Sequence, residues 1–105
     1  MSMTLREIID ITEIPILVKF GAVWCGPCKS MKPILEDIAV SWEGDIDLWE
    51  IDCDDDPDTA NEWKVRSIPT LILIDTDGTE LDRMTGLNSK GQIEEMLYRH
   101  FTEED

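Results

Sequence analysis

The segment "IPILVKFGA", residues 14 to 22, constrains the fold more than any other part of the chain. It is β-rich and almost wholly apolar, with no polar face. A strand of that kind must be covered on both sides, so it belongs inside a sheet with helices above and below. One cation, Lys19, interrupts it. The run leads straight into "VWCGPCK", and from Pro27 apolar residues recur at helical spacing: Met31, Ile34, Leu35 and Ile38. Pro33 lies within that pattern and is expected to kink the helix without ending it, because the spacing resumes beyond.

The remaining elements fall into place around this strand–helix unit. Residues 4 to 10 form a short helix with Leu5, Ile8 and Ile9 on one face. "DIDLWEID", 45 to 52, reads as a strand with Leu48 and Glu50 on one side and Trp49 and Ile51 on the other. A short helix after Pro57 ends near Trp63, and "PTLILID", 69 to 75, is a strand. The turn "TDG" at Thr76 to Gly78 joins it to "TELDRMTG" as a hairpin. A closing helix has Ser89 as N-cap and a stripe of Ile93, Met96, Leu97 and Phe101. The order α-β-α-β-α-β-β-α implies a mixed sheet with helices on both faces. The first two strands, joined through a helix, are expected parallel, and the last two antiparallel.

At 105 residues the chain is expected to form one domain, residues 1 to 105. Nine basic and 24 acidic residues give a net charge of −15, which argues against nucleic-acid or anionic-membrane partners. No apolar stretch is long enough to cross a bilayer, and the N-terminus does not read as a secretory signal. With three cysteines, too few to staple a scaffold, a reducing cytoplasmic setting follows as the expectation. The acidic run Asp52 to Asp58 lacks the glycine and terminal glutamate of an EF-hand loop and reads as a loop capping a helix.

Cys25 and Cys28 stand at the strand-to-helix junction, with Pro27 suited to the first helical turn. A helix N-terminus carries partial positive charge and unpaired N–H groups, which favour a thiolate at Cys25. Such a thiolate attacks a disulfide, and Cys28, one turn along, resolves the mixed disulfide. The competing reading is half of a zinc site. Cys53 and His100 are the only other soft ligands, and neither has the spacing of a zinc knuckle. Cys–His hydrolysis is weaker still, given the position of His100.

"WCGPC", "SIPT" (Ser67 to Thr70) and "GLNSKGQ" (Gly86 to Gln92) together resemble the thioredoxin family over most of the chain. The resemblance implies a three-layer α/β/α sandwich and a thiol–disulfide oxidoreductase that reduces protein disulfides and is recharged by a reductase. It implies no bound cofactor or metal, because the electrons reside in the cysteine pair, and a monomer. It implies Cys25 as the exposed attacking thiol and Cys28 as the buried resolving one. Gly26 and Pro27 would set the redox poise, and Trp24 would shield the pair and contact substrate. The Ile68–Pro69 bond would be cis beside the disulfide, presenting the Ile68 backbone to an extended substrate segment. Gly86 would form the groove's third wall, where a side chain obstructs.

The chain departs from that family in three places. Only 24 residues precede Cys25 and no strand-like stretch comes before the first helix, so four strands are expected, the N-terminal edge strand being missing. Gly21 stands where many members carry a second tryptophan, which is expected to loosen packing beneath the cysteines. Lys19 occupies the place of the family's buried aspartate, and the partner position on the next strand is Glu50. Two buried charges on neighbouring strands are expected to pair, cation first and carboxylate second, with Glu50 serving the resolving thiol as proton acceptor. Alternatively both are solvated and play no part in catalysis. Cys53 reads as a core or boundary residue, and Trp42, Trp49 and Trp63 as packing. A second functional reading is a thioredoxin-fold subunit of a partner protein, in which redox turnover is dispensable.

Overall fold

A computed structural model of the protein describes residues 4–101. Four helices and four strands follow the expected order: α1 (Leu5–Ile11), β1 (Ile16–Gly21), α2 (Gly26–Ser41), β2 (Asp47–Asp52), α3 (Pro57–Glu62), β3 (Thr70–Ile74), β4 (Glu80–Thr85) and α4 (Lys90–Phe101). They build one sheet in the order β2-β1-β3-β4. β1 pairs parallel with β2 and antiparallel with β3, and β3 pairs antiparallel with β4. Among the described residues no strand precedes α1, as expected, so β2 is a sheet edge.

Local chemistry explains the boundaries. Thr4 caps α1 in a reciprocal box with Glu7, each accepting a backbone N–H from the other. Ser89 and Gln92 form the same arrangement at the start of α4. Asp56 caps α3 by accepting the N–H of Thr59, with Pro57 in the first turn. α2 runs unbroken through Pro33 to Ser41. The β3–β4 hairpin turns through Gly78 at φ +90°, a conformation that favours glycine.

Alternation along the interior strands divides the core in two. Leu17, Leu71 and Leu73 meet Met31, Leu35, Ile38 and Trp42 of α2 and its C-cap, together with Ile93, Met96 and Leu97 of α4. Ile16, Val18, Phe20, Ile72 and Ile74 meet Leu5, Ile8 and Ile9 of α1 and Ala60 of α3. β1 and β3 are buried at every residue, as a strand covered on both faces requires. The result is a three-layer sandwich with α2 and α4 on one face and α1 and α3 on the other. Of the tryptophans, Trp42 is buried with its ring 5.0 Å from that of Tyr98, and Trp63 packs half-buried under α3. Trp49 differs from expectation. It lies on the edge strand and is 38% exposed, because nothing among the described residues covers that side of β2.

Candidate functional site: a cysteine pair at a helix start

The apolar strand β1 drives the chain to the end of the sheet, where Ala22 and Val23 turn it into α2. Cys25 is the N-cap of α2, in extended backbone, and its Sγ accepts the N–H of Cys28 at 3.2 Å. Pro27 sits in the first turn, where its missing N–H leaves nothing unpaired. The Cα atoms of Cys25 and Cys28 are 5.2 Å apart and the two sulfurs stand at disulfide distance. The pair forms a small apolar cluster with Ala22 and Ile68.

One expectation needs correction here. Cys25 is 4% exposed and Cys28 3%, so accessibility does not separate an outer from an inner cysteine. With the sulfurs joined, Ala22 and Ile68 close over both residues. Position on the helix is what distinguishes them, since Cys25 caps its N-terminus and Cys28 lies inside its first turn.

Trp24 precedes Cys25 in the chain, and Ile68 packs against the pair. The Ile68–Pro69 peptide bond is cis. The hydroxyl of Thr70 donates to the Ser67 carbonyl at 2.6 Å, fixing the loop before β3. Gly86 N–H donates to the Pro69 carbonyl at 2.8 Å, which brings the end of β4 alongside that loop. Gly86 has φ +81° and no atom within 4 Å of where a Cβ would stand. Its glycine requirement is therefore conformational, and a side chain there would project into open space. Trp24 is 67% exposed, and its indole N–H donates to an Asp54 carboxylate oxygen at 2.7 Å. Asp54 belongs to the acidic run read as a helix-capping loop, and its bond to Trp24, 30 residues away, has no local signal in the sequence.

Beneath the pair, Lys19 and Glu50 lie side by side on the α2 face of β1 and β2, as paired register positions. The Lys19 ammonium is 2.9 Å from a Glu50 oxygen and donates to the Cys28 carbonyl at 3.4 Å. Lys19 is buried as expected, but Glu50 is not: its side chain is 57% exposed. The reason is again that β2 is the sheet edge. A cavity of about 300 Å³ adjoins the pair, lined by Lys19, Gly21, Cys28, Lys32 and Glu50 among others. A Cβ on Gly21 would stand 3.0 Å from the Cys28 sulfur, so position 21 touches the redox atom. The expected loosening of packing is not what the geometry shows: Cys28 and the Lys19 stem stand close enough that even a methyl group at position 21 would be crowded.

Cys53 is half-buried against the α1–α3 core. Burial pushes its thiol up, and Asp52, Asp54 and Asp56 add to that effect. It is a boundary residue and a poor nucleophile at neutral pH. His100 lies far along α4, bonded to Asp82 at 3.0 Å. Among the described residues no three His, Cys, Asp or Glu side chains are grouped to hold a metal ion. No described helix is long and apolar enough to cross a membrane.

A CxxC pair capping a helix, beside a cis-proline loop on an α/β/α sandwich, defines a thiol–disulfide oxidoreductase. The family model described as Thioredoxin matches residues 2–99. The chain is 44% identical to thioredoxin of Staphylococcus aureus over 84 residues, 80% of each chain. That figure is the same for the strains Mu50, MW2 and COL. The chain belongs to the thioredoxin family, whose members are protein-disulfide reductases working through such a pair.

Proposed function

We propose that the chain reduces accessible disulfides of other proteins, with the following division of labour. The Cys25 thiolate attacks one sulfur of the substrate disulfide, forming a mixed disulfide and releasing the other sulfur as a thiolate. Cys28 gives up its proton and attacks the Cys25 sulfur. The Cys25–Cys28 disulfide forms, and the second substrate thiol leaves. Two electrons and two protons from a reductase-type donor restore the dithiol. The observation that carries this reading is Cys25 at the helix cap, with its sulfur accepting the Cys28 N–H. Positive helix-end potential aimed at that sulfur favours the attacking thiolate.

Trp24, the Ile68–Pro69 backbone and Gly86 form the groove in which an extended substrate segment lies, with Gly26 and Pro27 shaping the bend that presents Cys25. Glu50 accepts the Cys28 proton by way of the cavity, and Lys19 orients it; the 2.9 Å contact and the cavity that both residues line support this. No bound cofactor or metal takes part. The chain acts as one monomeric domain in the cytoplasm, and its charge of −15 keeps it from nucleic acid and anionic membranes. Insulin reduction with a dithiol donor tests the reading: Cys25→Ser is expected to abolish turnover, and retained turnover overturns it. Glu50→Gln is expected to shift the pH profile of reduction, and an unchanged profile removes Glu50 from the proton path.

A further inference from the structure

β2 closes one side of the sheet, and its outer edge is built to accept a strand. The N–H of Asp47 donates to Pro15 and that of Cys53 to Gly21, so odd-numbered residues of this segment point their backbone at β1. By alternation, the N–H and C=O groups of Leu48 and Glu50 and the N–H of Asp52 point away from it. Among the described residues no strand lies beyond. Depressions flank this edge on both faces of the sheet. On the α1 side, one of about 330 Å³ is lined by Ile8, Ile11 and Trp49, and another of about 550 Å³ runs from Trp49 to Asp55 and Asp56. On the α2 side, one of about 250 Å³ is lined by Lys32, Leu35, Glu36 and Glu50, one cation against two carboxylates. An added strand sends alternate side chains to opposite faces, and each face has a recess to receive them.

Charge selects the occupant. The stretch "DIDLWEIDCDDDPD", residues 45 to 58, carries eight carboxylates and no lysine or arginine. Two copies pairing edge to edge would set these carboxylates against one another, which disfavours a dimer. An extended segment bearing Lys or Arg meets the opposite field and gains ladder hydrogen bonds with it. Exposed Trp49 and Ile11 supply apolar contact for the alternate residues. We propose that the free edge of β2 docks an extended basic segment of a partner protein by strand addition. The site lies two strands away from the loop carrying Ile68 and Pro69, and it meets the cysteine site only through Glu50, which also lines the cavity beside Cys28.

The test uses the full chain, isotope-labelled for NMR, titrated with three synthetic nine-residue peptides. One alternates Lys and Val, one alternates Glu and Val, and one is the Lys peptide N-methylated at alternate amides. The Lys peptide is expected to bind saturably, to shift and protect the amides of Leu48, Glu50 and Asp52, and to weaken as salt rises. N-methylation is expected to lower affinity about two- to tenfold for each ladder bond removed, and the Glu peptide is expected not to bind. Asp47→Lys is expected to weaken the Lys peptide while leaving insulin reduction unchanged, and Cys25→Ser is expected to bind it as well as the parent does. The proposal is overturned by absence of binding, by equal binding of the N-methylated peptide, or by shifts confined to Trp24, Ile68 and Gly86. Self-association of the chain through β2 overturns it too.

Discussion

Replacing Glu50 by Gln keeps the shape of the side chain and removes its charge. Lys19, whose side chain is only 10% exposed, then loses its 2.9 Å partner and keeps the Cys28 carbonyl at 3.4 Å. Breaking a fully buried pair costs about 3–5 kcal/mol, while a fully exposed pair contributes about 0.2–1 kcal/mol. Glu50 is 57% exposed, and the adjoining cavity of about 300 Å³ has room for water at the ammonium. The expected loss is therefore near the lower range, about 1 kcal/mol, or about 4–8 °C in Tm for a domain of this size. Lys19→Met should behave differently. It removes the buried charge, keeps the stem's packing, and leaves Glu50 to water, so stability should hold or rise by about 1 kcal/mol. Urea unfolding of the oxidised protein, followed by tryptophan fluorescence, reads both midpoints. Equal losses for the two variants would refute the reasoning, because they would mean that the charges depend on each other symmetrically. A neutral Glu50→Gln would show that water, not Glu50, satisfies Lys19.

Other outcomes follow from the same geometry. Gly21→Ala places a Cβ 3.0 Å from the Cys28 sulfur, and overpacking should cost the oxidised form about 1–2 kcal/mol in chemical unfolding. Hydrogen bonds from Arg83 hold the Glu80 carboxyl below its usual range, against the pull of partial burial. For Asp82, burial is the largest influence and pushes upward, but bonds from His100, the Arg83 N–H and Arg99 outweigh it. Folded values lower than unfolded ones mean stability that is full above the ordinary carboxylate pKa and is lost as pH falls through the lowered values. Acid titration of stability should therefore steepen below about pH 4, and Glu80→Gln should flatten part of that slope. The raised thiol of Cys53 should react with iodoacetamide at pH 7 far more slowly than reduced Cys25, and Cys53→Ser should leave insulin reduction intact.

Much of this architecture was legible because the signals were local. An apolar run must be an interior strand, and Pro27 next to a cysteine marks a helix start. Thr76 to Gly78 spell a turn, and the recurrence of Ile93, Met96 and Leu97 spells a buried helix face. The pairing of Lys19 with Glu50 was also readable, since two charges on adjacent strands have few other solutions. What escaped was set by position in the sheet. That no strand is found before α1 among the described residues matches the expectation, but the consequence is three-dimensional: β2 becomes the edge of the described sheet, which exposes Glu50 and Trp49 together. Closure of Ala22 and Ile68 over Cys25 joins residues over forty positions apart in the chain, and no local pattern encodes it. The same holds for the Trp24–Asp54 bond, whose partners meet only once β1 and β2 are paired.

The reduction potential of the Cys25–Cys28 pair, measured by equilibration with glutathione and quantification of the dithiol, tests the central claim most directly. A disulfide reductase must hold its electrons at or below the cytosolic glutathione poise of about −220 to −260 mV. The expected result is a value in or below that window, abolished as a two-electron couple by Cys28→Ser. A value about 100 mV above the window would contradict the account, because the pair would then oxidise dithiols instead of reducing disulfides.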